Sequence, residues 1–250
     1  VLLIGICPLI DWRKISTQQL MRSLRIQVVV AIITAVLLIV FGVRELWAVV
    51  SFAVAAFVIT TILLQLAQGI VARMRTANEN VLKATAKAVA NNRRRYGGQI
   101  IHFSILLIVI GITGSQAYQS EVQVALATGE TVDVSGYTLA YEDFTFQQVE
   151  EDGNKALNEA VLDVYRGDRK VATIRPQRNL HSNVQGAVTE VALRSNLKED
   201  LYVVLASLEA DGLAAFQVLI NPMVIWLWIG GFVLIIGTLI TAWPHKKRGR

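Results

Sequence analysis

One histidine stands alone in an apolar stretch. Residues 97–118, GGQIIHFSILLIVIGITGSQAY, follow Arg93, Arg94 and Arg95, and His102 is the sole ionisable side chain between Tyr96 and Tyr118. As a helix rising ~1.5 Å per residue, this stretch spans a hydrocarbon core of roughly 30 Å. His102 then lies roughly 10 Å inside the edge marked by Arg95. An ionisable group at that depth is costly and calls for a partner or a task. A neutral imidazole can give one nitrogen to a haem iron while a hydrogen bond holds the other. The alternative is a histidine that hydrogen-bonds a neighbouring helix. The three arginines either anchor the membrane edge or meet carboxylates of a bound ligand, such as haem propionates, which suit guanidinium geometry. Gly97, Gly98, Gly111 and Gly114 let a helix or a flat macrocycle come close. His181, in NLHSN, reads as an exposed loop residue and His245 as an interfacial one.

Composition sets the frame for that histidine. Of 250 residues, 54% are hydrophobic, and the mean hydropathy is +0.48. This is too apolar for an ordinary soluble domain and fits an integral membrane protein. The net charge of +5 hides two opposite parts. Residues 119–221 carry sixteen acidic and eight basic side chains, and the remainder sixteen basic and three acidic. The positive charge is confined to short segments at membrane edges, so it argues for orientation in a bilayer and not for nucleic acid. Cys7, the single cysteine, excludes an intrachain disulfide and reads as a small apolar residue at a helix end. The chain starts at Val1 in an apolar run, which reads as the C-terminal part of a longer protein.

In chain order, residues 1–10 read as the end of a truncated transmembrane helix and 11–25 as a polar loop. Transmembrane helices are expected over 26–43, 46–71, 97–118 and 222–243, the last opened by Asn221-Pro222. Residues 73–95 form a basic segment with a short amphipathic helix in VLKATAKAVA. Residues 244–250, PHKKRGR, form a basic tail. The basic connections alternate with the Arg44-Glu45 turn and the acidic stretch 119–221. The excess of Lys and Arg therefore puts the basic segments in the cytoplasm and 119–221 outside.

The outside stretch alternates apolar and polar residues in about seven short runs: VQVALA, YTLAYEDFTF, AVLDVYR, KVATIRP, TEVALRS, DLYVVLASL and FQVLI. Turn residues separate them, including Asp152-Gly153-Asn154 and Gly167-Asp168, the latter expected to close a two-residue hairpin. The expected fold class is an integral membrane α-helical bundle with an inserted extracytoplasmic all-β domain, a sandwich or partly open barrel. That domain carries no catalytic constellation, so its expected role is to bind or position a partner.

Several motifs recur in a fixed order. Arg93-Arg94-Arg95-Tyr96-Gly97-Gly98, His102 and Gly114-Ser115 come first. Thr189-Glu190-Val191-Ala192, Asp200-Leu201-Tyr202-Val203-Val204-Leu205 and Asn221-Pro222 with Trp226-Leu227-Trp228-Ile229-Gly230-Gly231 follow. From about Pro8 to Pro244 this order resembles the C-terminal half of the CcmF family of cytochrome c haem lyase subunits. The resemblance implies covalent attachment of haem to apocytochrome c outside the bacterial inner membrane. It implies delivery of that haem by a haem chaperone, other cytochrome c maturation subunits in the membrane, and quinol as electron donor. It also implies a haem b held between two transmembrane histidines, of which His102 matches the second. The first histidine and the tryptophan-rich haem-binding segment of the family belong upstream of these residues. Leu180-His181 stand where the family tends to have an aromatic pair. A non-enzymatic subunit of a transport or assembly complex, with the β-domain as a docking platform, is the second reading. An exporter permease is the third.

Overall fold

The computed structural model describes residues 1–6, 17–149, 155–181 and 187–243. Cys7, the turn at 152–154, His245 and the basic tail lie outside them. The chain forms two compact units, Val1–Ala117 with Trp226–Arg250, and Tyr118–Ile225.

The helical unit contains α1 (Leu2–Ile6), α2 (Thr17–Val40), α3 (Leu46–Ala77), α4 (Val81–Asn91), α5 (Arg93–Tyr118) and α6 (Val224–Ala242). Three of these, α3, α5 and α6, are long and apolar enough to cross a membrane, and α2 holds a shorter apolar stretch, Leu24–Val40. Several element ends differ from the sequence expectation. Residues 17–25, expected as loop, are the first turns of α2, because Gln, Leu, Met and Arg are good helix formers that polarity alone does not interrupt. The helix of α3 runs past Arg73 and Arg75 and stops at Asn78, whose φ of 49° is a left-handed conformation asparagine tolerates. Glu79 bridges this turn, accepting from Arg73 Nε at 3.2 Å and pairing with Lys87 of α4. Arg93 to Arg95 are the first residues of α5 and not a separate edge segment. Asn221-Pro222 end the last strand and do not open α6, consistent with the extended backbone that proline imposes on its predecessor.

Among its described residues the second unit has ten strands where the alternation suggested about seven. β1 (Ser120–Leu126), β10 (Ala214–Pro222), β9 (Glu199–Leu208) and β8 (Ala192–Ser195) form one antiparallel sheet in the order β1-β10-β9-β8. The other sheet runs β2 (Thr131–Val134), β3 (Tyr137–Val149), β4 (Lys155–Arg166), β6 (Gln177–His181) and β7 (Ala187–Glu190), with β5 (Arg169–Ile174) also on β4. Period-two burial builds the core between them. Ala214, Phe216, Val218 and Ile220 of β10 face Leu139, Tyr141, Leu162 and Val164 of the other sheet in one cluster. Tyr141 meets Phe216 edge to face at 5.2 Å. The run TEVALRS, read as one strand, is two: the chain leaves one sheet at Glu190 and joins the other at Ala192. Gly167 takes φ +58° at the first position of the β4–β5 hairpin, as its two-residue loop requires. A second tight hairpin, at Ser135-Gly136, has both φ values positive and joins β2 to β3. The ends of the domain pair side by side, Ser120 opposite Ile220.

Candidate functional site

Helix α5 uses three faces for three purposes. One packs on α6 through small residues. A Cβ on Gly97 would stand 3.0 Å from the Gly237 carbonyl oxygen, and one on Gly230 only 2.9 Å from that of Ser104. The spacing Gly97, Ser104 against Gly237, Gly230 is one heptad on each helix, running antiparallel, and it lets the two backbones come close without side chains between. A second face meets α3. Gln99 Nε2 donates to Gln65 Oε1 at 2.9 Å, and Tyr96 lies over Gly69, where a Cβ would be 2.5 Å from its hydroxyl. Leu106 of α5 joins Val58 and Ile62 of α3 in a fully buried cluster.

His102 lies on the third face. One turn on either side of it stand Gly98 and Ile105, followed by Val109 and Ile112. This face is open: nothing lies within 4 Å of a Cβ built on Gly98, and Ile112 is 48% exposed. The His102 ring is half-buried. Its Nδ1 is buried and has no hydrogen-bond partner among the described residues. With Nδ1 buried, Nε2 is the ring nitrogen left for a ligand, and the free space over Gly98 one turn away leaves room for a planar one. Arg94 and Arg95 are exposed at the start of the helix. Arg93 lines a groove of about 400 Å³ with α4 residues Ala86, Val89 and Ala90 and α6 residues Ile236, Leu239, Ile240 and Trp243. His181 ends β6, opposite Lys155, and is therefore a strand residue in a different unit from His102.

Other polar groups were missed in the sequence. Gln27 of α2 is 2% exposed, and its Oε1 is buried without a partner among the described residues. Gln27 and Gln99 are each an amide in an apolar run, and Gln65 shares its run only with Gln68, which was the available signal. In the β-domain, two guanidinium groups stand over the Tyr137 ring, Arg166 at 5.3 Å and Arg194 at 5.8 Å from its centre. Its hydroxyl donates to Glu199 Oε1 at 3.0 Å and accepts from Arg194 and Asn196 at 3.3 Å. Arg166 and Lys198 both approach the Glu199 carboxylate, at 3.5 and 3.8 Å. No sequence spacing announces this cluster, because it joins four strands. Lys170 of β5 holds the Asp163 carboxyl of β4 below the usual carboxylate range, helped by the Thr173 hydroxyl at 2.6 Å. The same contact raises the Lys170 ammonium above its ordinary value.

Fold and site define a class: a membrane helical region with an inserted all-β domain. The profile of the family described as CcmF C-terminal beta-sandwich matches residues 117–222, the whole β-domain. The cytochrome c-type biogenesis protein CcmF of Pseudomonas aeruginosa is 27% identical over 174 residues, 70% of this chain and 26% of that protein. The CcmF of Haemophilus influenzae is 27% identical over 249 residues, 99% of this chain and 37% of its own length. The probable cytochrome c-type biogenesis protein NrfE of Escherichia coli is 26% identical over 168 residues. The solved structure of a cytochrome c heme lyase CcmF shares the fold with a TM-score of 0.79 at 22% identity, covering 97% of this chain and 38% of that one. The chain therefore spans about a quarter to somewhat over a third of the relatives it matches. The chain is similar to the C-terminal part of CcmF proteins, and the CcmF profile covers its β-domain.

Proposed function

We propose that this chain is part of a haem lyase for cytochrome c maturation in a bacterial inner membrane, with residues 119–221 on the periplasmic side. The observation that carries the reading is His102: a half-buried imidazole on a membrane helix, one turn from the free space over Gly98. His102 would hold a haem b by giving the iron an imidazole lone pair. Gly98 leaves room for the macrocycle, and Arg93, Arg94 and Arg95 stand at the end of the same helix to meet its propionates. The Gln65–Gln99 hydrogen bond and the Gly97–Gly237 approach hold α5 in a fixed position, which sets where the imidazole sits. Bound there, a haem would supply a one-electron carrier between quinol and the haem being attached.

The β-domain helps place a haem chaperone or apocytochrome c, alongside other maturation subunits in the membrane. Support comes from its match to the family profile and from the names of the relatives, which are cytochrome c-type biogenesis proteins. The test is maturation of a reporter cytochrome c in cells carrying His102→Ala or a deletion of residues 120–220. Loss of covalent haem with either variant, at normal protein level in the membrane, is expected. Normal maturation in both would remove the proposal.

A further inference from the structure

The basic side chains of the β-domain are not spread evenly. The domain carries sixteen acidic and eight basic residues, yet Arg166, Arg194 and Lys198 gather around Tyr137 and Glu199. Arg169 faces Arg166 across the β4–β5 hairpin and is exposed. Four of the eight cations thus collect at one end of an otherwise acidic unit. It is the end from which the chain continues into α6. The Met223 backbone N–H donates to the Lys198 carbonyl at 2.8 Å, and α6, apolar enough to cross a membrane, starts at the next residue, Val224.

The β8–β9 loop, Asn196-Leu197-Lys198, lies at this end. Asn196 Oδ1 accepts from the backbone of Lys198 at 2.8 Å and of Glu199 at 3.0 Å, so the loop is held tightly. It presents Leu197, which is 76% exposed, next to an exposed Lys198. A rigid loop with a bare leucine at its tip and cations beside it, one hydrogen bond from the start of a membrane helix, has the two features of an interfacial anchor. The apolar group enters the acyl boundary and the cations stay with phosphates.

We propose that this loop contacts the bilayer, with Leu197 below the headgroups and Lys198, Arg166 and Arg169 at phospholipid phosphates. The loop then fixes the β-domain at a second point beyond its two covalent connections. The proposal rests only on α6 crossing a membrane and does not depend on haem.

The test uses the full-length protein in nanodiscs of phosphatidylethanolamine and phosphatidylglycerol, with Cys7 and any other native cysteine replaced by serine and Leu197→Cys carrying an environment-sensitive fluorophore. Leu213→Cys is the control. Leu213 is 40% exposed in the turn at the far end of β9, roughly 30 Å along the strand by its ten residues. The expected result is blue-shifted emission at position 197 and strong quenching by nitroxide-labelled lipid, with neither at 213. Charge reversal at Lys198 and Arg169 should weaken that quenching. Emission at 197 as red and as weakly quenched as at 213 would overturn the proposal. So would a blue shift without quenching by lipid, which would mean a protein partner covers the loop.

Discussion

The two units of this chain satisfy their polar groups by different means. In the β-domain, several buried polar groups form local closed sets, while Tyr141 Oη and Asp200 Oδ1 lack a partner among the described residues. Asn158 and Asn179 hydrogen-bond each other's strands, Asp163 has Lys170 and Thr173, and Glu199 has Tyr137 with cations near it. In the helical unit, buried nitrogen and oxygen atoms of Gln27, Gln99 and His102 lack a partner among the described residues. Leucine, isoleucine and tryptophan side chains stand bare on α2, α3 and α6. A sheet sandwich buries its apolar faces against each other and closes on itself. A membrane helix bundle leaves apolar surface for lipid, and it places its few polar atoms where another component completes them. The difference teaches where to look for function in this chain: at the unfinished polar positions of the helices, and at the exposed end of the finished domain.

If the β-domain is self-contained, a core deletion there should have the largest effect and stay local. Phe216→Ala, at a residue 1% exposed, should cost about 3–5 kcal/mol. Limited proteolysis should then cut between residues 120 and 220 while the helices stay protected in detergent. Simultaneous loss of the helices would break the distinction between the units. The helical unit should be most sensitive at its close backbone approach. Gly97→Val forces atoms into the space against Gly237 and Thr241, and should cost about 1–3 kcal/mol, read as a lower thermal midpoint in detergent.

An effect of similar size is expected at the amide pair. Gln99→Leu leaves Gln65 Oε1 without its donor and should cost about 1–3 kcal/mol, whereas Gln65→Leu with Gln99→Leu should recover most of that loss. A double-mutant cycle on thermal midpoints checks it. The smallest effect is expected at Asp163. Its carboxyl is held below the ordinary range, so its contribution is present above that range and fades as pH falls through the lowered value. Lys170 is raised, so its contribution is present below the ordinary ammonium value and fades as pH rises through the raised one. The stability gap between wild type and Asp163→Asn should therefore be flat at neutral pH and shrink at both extremes. It should also be modest, since the Lys170 side chain is 48% exposed.

Much of this was legible because hydropathy and alternation carry the signal. The apolar runs at 46–71 and 97–118 lie within α3 and α5, and alternation in FQVLI corresponds to buried Phe216, Val218 and Ile220 of β10. Element ends were not legible where local propensity and polarity disagree, as at residues 17–25. The sheet change at Val191 was not legible either, because alternation continues through it while the pairing partner changes. His102 stood out as a single polar residue in an apolar run. Its open face did not, since that depends on which sides of α5 the neighbouring helices occupy. The Tyr137–Glu199 cluster joins residues 62 apart in sequence and needed the fold to appear.

The central claim concerns His102, and a reduced-minus-oxidised visible spectrum of the purified full-length protein tests it most directly. The wild type should show a low-spin b-type spectrum. His102→Ala, still monodisperse in detergent and with unchanged helical circular dichroism, should lose it. The same b-type spectrum in both proteins would contradict the account and leave His102 as a packing residue of α5.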